Sequence, residues 1–209
     1  MKEILGAPYT GRKAAGYDTK RKLKKKWLDE NKFVGDVLMD AAMRDYGLQP
    51  TLLDVAVGTG RFLPTYDKIG YSATGIDISE DMLKLAAKRS KKTKLTTGNA
   101  VRLEFAARKF NTVVCVRLLH LVKESVMRIM LGEICRVARN DIILTIQLGK
   151  TFRAGHDTAT HNENKFRRLL GKLGWRVLSE RKLTGAGWYI MHLVKESARE
   201  AKARLAGKQ

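Results

Sequence analysis

The chain has 209 residues, 44% of them hydrophobic, and carries 41 Lys plus Arg against 21 Asp plus Glu, a formal net charge of +20. This is the length and composition of one soluble globular domain, and with no apolar run near the roughly 20 residues that cross a bilayer, and no apolar signal segment at the N-terminus, it excludes a membrane protein and points to the cytoplasm. Cys115 and Cys135 lie in separate apolar stretches, which indicates neither a disulfide framework nor a paired-cysteine metal site, while the excess of positive charge points to a polyanionic partner.

Residues 1–35 show no strand pattern and read as a basic, helical N-terminal cap, in which residues 14–33 place Tyr17, Leu23, Trp27 and Phe33 among lysines. A second helix is expected from Gly35 to about residue 46, with Val37, Leu38, Ala41 and Ala42 on its inner face and Gly47 ending it. The apolar run of residues 52–57 then reads as a buried strand stopped by Gly58-Thr59-Gly60. The helix starting near Arg61 is short, because Pro64 suits only a first turn and Gly70 closes it. A second strand ends at Asp77, and Ser79 caps a helix to about Arg89, with Glu80 and Asp81 in its first turn and Lys84, Lys88 and Arg89 later. Residues 95–97 and 110–116 read as the third and fourth strands, residues 125–137 as a helix and residues 141–148 as a strongly apolar fifth strand. A polar loop spans 149–160, Asn162 or His161 caps a helix to Leu173, and residues 175–182 and 187–195 form a closing antiparallel pair. Residues 196–209 read as a basic tail helix, which leaves 36–195 as the central domain.

The chemistry sits at two strand ends. Glycines after the first strand let backbone approach a ligand, and the unpaired amides of the following helix point at it. About twenty residues on, Asp77 is placed to accept from both hydroxyls of a ribose. A dinucleotide site would need a third glycine where this chain has Leu63, and Asp54 before the turn would repel a pyrophosphate.

The run Asp54-Val55-Ala56-Val57-Gly58-Thr59-Gly60 resembles the first motif of the class I S-adenosylmethionine (SAM) dependent methyltransferases, Asp/Glu-x-Gly-x-Gly-x-Gly, with Ala56 in place of the first glycine. Alternating strands and helices predict an α/β three-layer sandwich with a mostly parallel sheet, and the resemblance implies seven strands, the last antiparallel. It further implies that Asp54, Ala56, Gly58, Thr59 and Gly60 surround the methionine part of SAM, that Asp77 holds the ribose and that Ile78 packs on the adenine. Ala100 and Val116 are assigned to the same site. At Asn99 the family usually has an acid bound to the adenine amino group, and the amide oxygen can still accept there. The segment before the first motif often folds over the pocket in that family, so Tyr17, Arg21 and Trp27 are candidates for closing it.

Substrate is expected at the carboxyl end of the fourth strand, where Arg117 and His120 lie. No Asn/Asp-Pro-Pro-Tyr/Phe stands there, and Cys115 falls within an apolar strand, which weighs against methylation of base amines or of cytosine C5. The catalytic group stays unassigned among Tyr17, Arg117 and His120; His156, Asp157 and His161 lack a convergent further ligand, so no metal is expected. The reaction expected is in-line transfer of the SAM methyl to a nitrogen or oxygen of the acceptor, with nucleic acid as the first reading and two alternatives beside it. Nucleic acid, RNA before DNA, would be gripped by the clusters at residues 20–26, 88–94 and 167–172. A small molecule would lie under the N-terminal segment as a lid. A third possibility is a SAM-binding protein without methyl transfer.

Overall fold

The computed structural model describes residues 9–19, 25–44, 49–150, 153–154 and 159–197. Its helices are α1 (Gly11–Ala15), α2 (Lys25–Arg44), α3 (Leu63–Ile69), α4 (Glu80–Ala86), α5 (Glu124–Val137) and α6 (Glu163–Lys172). Its strands are β1 (Thr51–Val55), β2 (Ser72–Asp77), β3 (Lys94–Thr97), β4 (Phe110–Cys115), β5 (Ala138–Gly149), β6 (Arg153–Ala154), β7 (Ala159–Asn162), β8 (Trp175–Lys182) and β9 (Trp188–Lys195). The main sheet runs β3-β2-β1-β4-β5-β9-β8, parallel except for β9, which pairs antiparallel with both β5 and β8. The seven-stranded arrangement with an antiparallel last strand is thus present.

Successive strand residues point to opposite faces, so the neighbouring pairs Leu52 and Leu53, Val114 and Val113, and Ile143 and Ile142 divide between two cores. Phe33, Val34, Val37 and Leu38 of α2 and Leu63 and Tyr66 of α3 cover one face. Met127, Met130, Leu131 and Ile134 of α5, with Phe166 and Leu170 of α6, cover the other. Covered on both sides, the central strands read as continuous apolar runs.

Local signals set several ends as expected. Pro64 lies in the first turn of α3, and Gly70 ends it in the left-handed region at φ 97°. The Ser79 hydroxyl accepts from the Met82 amide, and Asn162, not His161, caps α6 by accepting from Lys165. Other expectations are corrected. Gly35 does not begin a helix: α2 runs 20 residues through it, so the division placed at residue 35 falls mid-helix. Burial of Trp27, Phe33, Val34, Val37 and Leu38 along one face outweighs the roughly 1 kcal/mol that an interior glycine costs. The stretch 149–160 is not all loop, since β6 and β7 form a small pair attached to the end of β5. Arg21, His156, Asp157, Gly47, most of the 20–26 cluster and the tail helix lie outside the described residues.

Ala56 occupies the left-handed region at φ 61°, a conformation that costs an L-residue about 1–2 kcal/mol and a glycine almost nothing. Part of that gain is returned through the freer unfolded chain. Ala56→Gly is therefore expected to raise unfolding free energy by about 0.5–1 kcal/mol, read from urea denaturation midpoints.

Candidate active site

The turn after β1 keeps Ala56, Gly58 and Gly60 at φ 61°, 57° and 73°. A Cβ on Gly60 would stand 2.7 Å from Leu63 Cδ1 and 2.9 Å from Ala86 Cβ, so only glycine lets the turn close against α4. At Gly58 nothing stands nearer than the Ala56 carbonyl at 3.9 Å, and the turn is open on that side. The Gly58 amide donates to Asp77 Oδ2 at 2.9 Å and the Ser79 amide to Oδ1 at 2.9 Å, so one carboxylate ties the two strand-end corners together. Burial raises the Asp77 pKa, and these amide bonds oppose the rise. An ionised carboxylate has about four acceptor positions, so these two amides and that of Ile78 still leave capacity for a sugar hydroxyl.

Beside this turn lies a cavity of about 40 Å³, bounded by Tyr17, Asp54, residues 56–59, Arg61, Phe62, Val116 and Arg117. It has room for about one water. The segment 9–19 closes it: Asp18 accepts from Thr59 Oγ1 at 2.8 Å and pairs with Arg89, the Gly11 amide donates to Asp81 at 2.9 Å, and Ser79 Oγ donates to the Tyr9 carbonyl. Tyr17 packs edge-on against Tyr9 at 5.2 Å.

Asp54 is buried and accepts from the Tyr66 hydroxyl at 2.8 Å. Desolvation raises its pKa to about 7, against the Tyr66 bond and the attraction of Arg61. On the far side, fully buried Glu30 accepts through Oε2 from Arg61 at 2.6 Å and from Arg117 Nε at 2.9 Å. Arg61 also lies over the Trp27 ring at 4.1 Å, so Trp27 anchors α2 and does not bound the cavity. Lys26 Nζ sits 2.9 Å from the centroid of the Trp188 ring, and desolvation with repulsion from Arg117 lowers its pKa to about 7.

Of the residues expected at the site, Tyr17, Asp54, Ala56, Gly58, Thr59, Val116 and Arg117 bound the cavity, and Asp77 and Gly60 shape its corner from behind. Ile78 and Ala100 lie at the ends of β2 and β3, outside that cavity, with Ile78 exposed and Ala100 buried. Asn99 Oδ1 already accepts from the Val101 amide at 3.1 Å, which leaves one lone pair for an adenine amine. His120 does not reach the cavity; it is buried edge-on against Trp188 at 4.4 Å, behind the wall rather than on it. His161 Nε2–H donates to the Leu119 carbonyl at 2.9 Å, and burial lowers its pKa. Burial likewise raises the Cys115 thiol, which makes it a poor nucleophile. Lys26, Glu30, Arg61 and Trp188 were not among the sequence candidates. Glu30 had a signal, since it falls at helical spacing within the apolar stripe Trp27, Val34, Leu38, Ala41.

Residues 52–141 match the methyltransferase domain family. The chain is 30% identical over 121 residues to a Geobacillus sp. (strain WCH70) protein with a provisional methyltransferase name, covering 54% of this chain and 49% of that one. It is 28% identical over 164 residues to the chloroplastic magnesium protoporphyrin IX methyltransferase of Arabidopsis thaliana, covering 69% of this chain and 52% of that one. The chain thus spans about half the length of the curated relatives it matches. In fold, it resembles magnesium protoporphyrin IX methyltransferase from Synechocystis PCC 6803 with bound S-adenosylhomocysteine (SAH), at a TM-score of 0.68 and 18% identity over 87% of this chain and 95% of that one. The matched segment runs from β1 into β5, and the sheet around it has the order described, so residues 52–141 resemble the methyltransferase domain family and the fold is the Rossmann-like one of the solved methyltransferase.

Proposed function

We propose that this protein transfers the methyl group of SAM to a small-molecule acceptor enclosed beneath the segment 9–19. The observation that carries this reading is enclosure: Tyr17 and Asp18 cover the glycine turn, and the cations that bound the cavity among the described residues, Arg61 and Arg117, are drawn inward by buried Glu30. Of the relatives named above, that of Arabidopsis thaliana acts, by name, on magnesium protoporphyrin IX, a small molecule. The nucleic-acid reading rested on charge alone. Its described clusters fall on separate elements, at the end of α4 leading into β3 and on α6, where Arg167 is already paired with Glu163 and Glu180.

The residues present fit the cofactor. Asp77 keeps acceptor capacity for a ribose hydroxyl, the open side of Gly58 admits a ligand close to backbone, and Asp54 can face a cationic methionine end. Ile78 offers an apolar surface to adenine. At about 40 Å³ the cavity is far smaller than such a ligand, so segment 9–19 must swing away for entry and can close again to exclude water. Bound SAM supplies a methyl carbon already activated by its positive sulfur; this chain supplies alignment and dryness.

Calorimetric titration with SAH tests the proposal. Micromolar-range binding is expected, and Asp77→Ala should weaken it about 10- to 100-fold, as expected for lost hydrogen bonds to a charged acceptor. Absence of SAH binding, or equal affinity in the variant, would overturn the assignment. Tight RNA binding that falls steeply with salt would restore the nucleic-acid reading.

A further inference from the structure

The sheet order gives the site a direction. A ligand held by Asp77 at the end of β2 and passing the turn after β1 reaches Val116 at the end of β4, and beyond it stand β5 and β9. On the methyltransferase reading above, the acceptor therefore lies on the β4–β5–β9 side. There, Arg117 is held at φ 65° by its amide, which donates to Thr145 Oγ1 of β5 at 2.6 Å. Its Nε bonds Glu30, while its two terminal nitrogens have no partner among the described residues. One helical turn before Glu30, Lys26 lies on the Trp188 ring of β9, and no carboxylate pairs with it among the described residues.

Charge balance is lacking here. Lys26, Arg61 and Arg117 gather around the carboxylate of Glu30, with Asp54, which desolvation keeps protonated until about pH 7, the further acid near Arg61, and the side chains of Arg61 and Arg117 are only 9% and 18% exposed. Arg61 also keeps a buried terminal nitrogen without a partner. Cations drawn out of water without counter-charge are costly, and a ligand anion would supply what is missing. We propose that Arg117 and Lys26, oriented by Glu30 and Trp188, form a subsite for an oxyanion on the methyl acceptor, which places the acceptor among small organic acids. A guanidinium whose Nε is already anchored presents its terminal pair in a fixed plane, suited to two parallel bonds to one carboxylate.

Benzoate and its neutral isostere benzamide are the probes, titrated by ligand-observed NMR against the full chain with and without SAH. Benzoate is expected to bind at least about tenfold more tightly than benzamide, the scale of one charge-assisted bond. Lys26→Met and Arg117→Gln should each bring that preference below about threefold, while exposed Lys68→Gln leaves it intact. Lys26→Met should also keep SAH affinity within about twofold. Equal or undetectable binding of the two probes, an unchanged preference in both variants, or an equal loss in Lys68→Gln would overturn the subsite. So would a parallel loss of SAH and benzoate in Arg117→Gln, which would give the arginine to the carboxylate of the cofactor. Failure of SAH to bind the unaltered protein would instead sink the methyltransferase reading, with the benzoate comparison in its absence still deciding the subsite.

Discussion

Glu30→Ala should lower the unfolding free energy by about 3–5 kcal/mol, the range for removing one partner of a buried ion pair. The reason is asymmetry. Glu30 has no exposed surface, and its Oε2 is the common acceptor for Arg61 and Arg117, which arrive from the turn after β1 and from the end of β4. Removing the carboxylate leaves both guanidinium groups, with Lys26 nearby, in a setting that water reaches poorly. Glu30→Gln should cost less, because its amide oxygen still accepts one bond. Glu30→Met combined with Arg61→Met should recover part of the loss, since it removes the carboxylate with the more deeply buried guanidinium and leaves only the partly exposed Arg117 unpaired. Urea unfolding of the single and double variants gives the coupling directly. A loss below about 1 kcal/mol in Glu30→Ala would mean that the two arginines find solvent, and would weaken the case for a preorganised anion subsite.

What could be read from the sequence was local. Pro64 and Gly70 bracket α3, the hydroxyl of Ser79 faces a helix start, and Asp77 stands where an apolar strand gives way to polar residues, because each signal acts within a few residues of its cause. The interval between the glycine turn and Asp77 is longer than such signals reach; resemblance carries it, and the structure joins the two corners through the bond from the Gly58 amide to Asp77. The Glu30 cluster differs: its members come from α2, the β1 turn, the β4 end and β9, and only tertiary packing brings them together. Gly35 misled because propensity is weak beside the burial of an apolar face 20 residues long. His120 misled in the opposite way. It stands in the right loop, but the chain there forms a short 3₁₀ turn, Leu119–Leu121, that buries the imidazole against Trp188.

Asp54→Asn should change how stability depends on pH by a few kcal/mol, and the sign follows from burial. In the unfolded chain an aspartate ionises near 3.9, whereas in the folded protein desolvation holds its proton until about 7. Folding therefore takes up a proton between those values. The contribution of Asp54 is most favourable below about pH 4, declines by up to about 1.4 kcal/mol per pH unit as pH rises toward 7, and is flat above. Measured as the difference between the asparagine variant and the unaltered protein, which cancels the other titrating groups, unfolding free energies at pH 5 and pH 8 should shift in favour of the variant at the higher pH. The same proton bears on function. A methionine end carrying an ammonium group, brought beside Asp54, favours the ionised carboxylate and lowers its pKa. Binding of SAH near pH 6 should therefore release up to about one proton, visible as a dependence of the calorimetric enthalpy on buffer ionisation, and affinity should rise with pH until about 7. In Asp54→Asn both effects should vanish. Persistence of the proton release in that variant would assign it to another group, with Lys26, which titrates in the same range, as the next to replace.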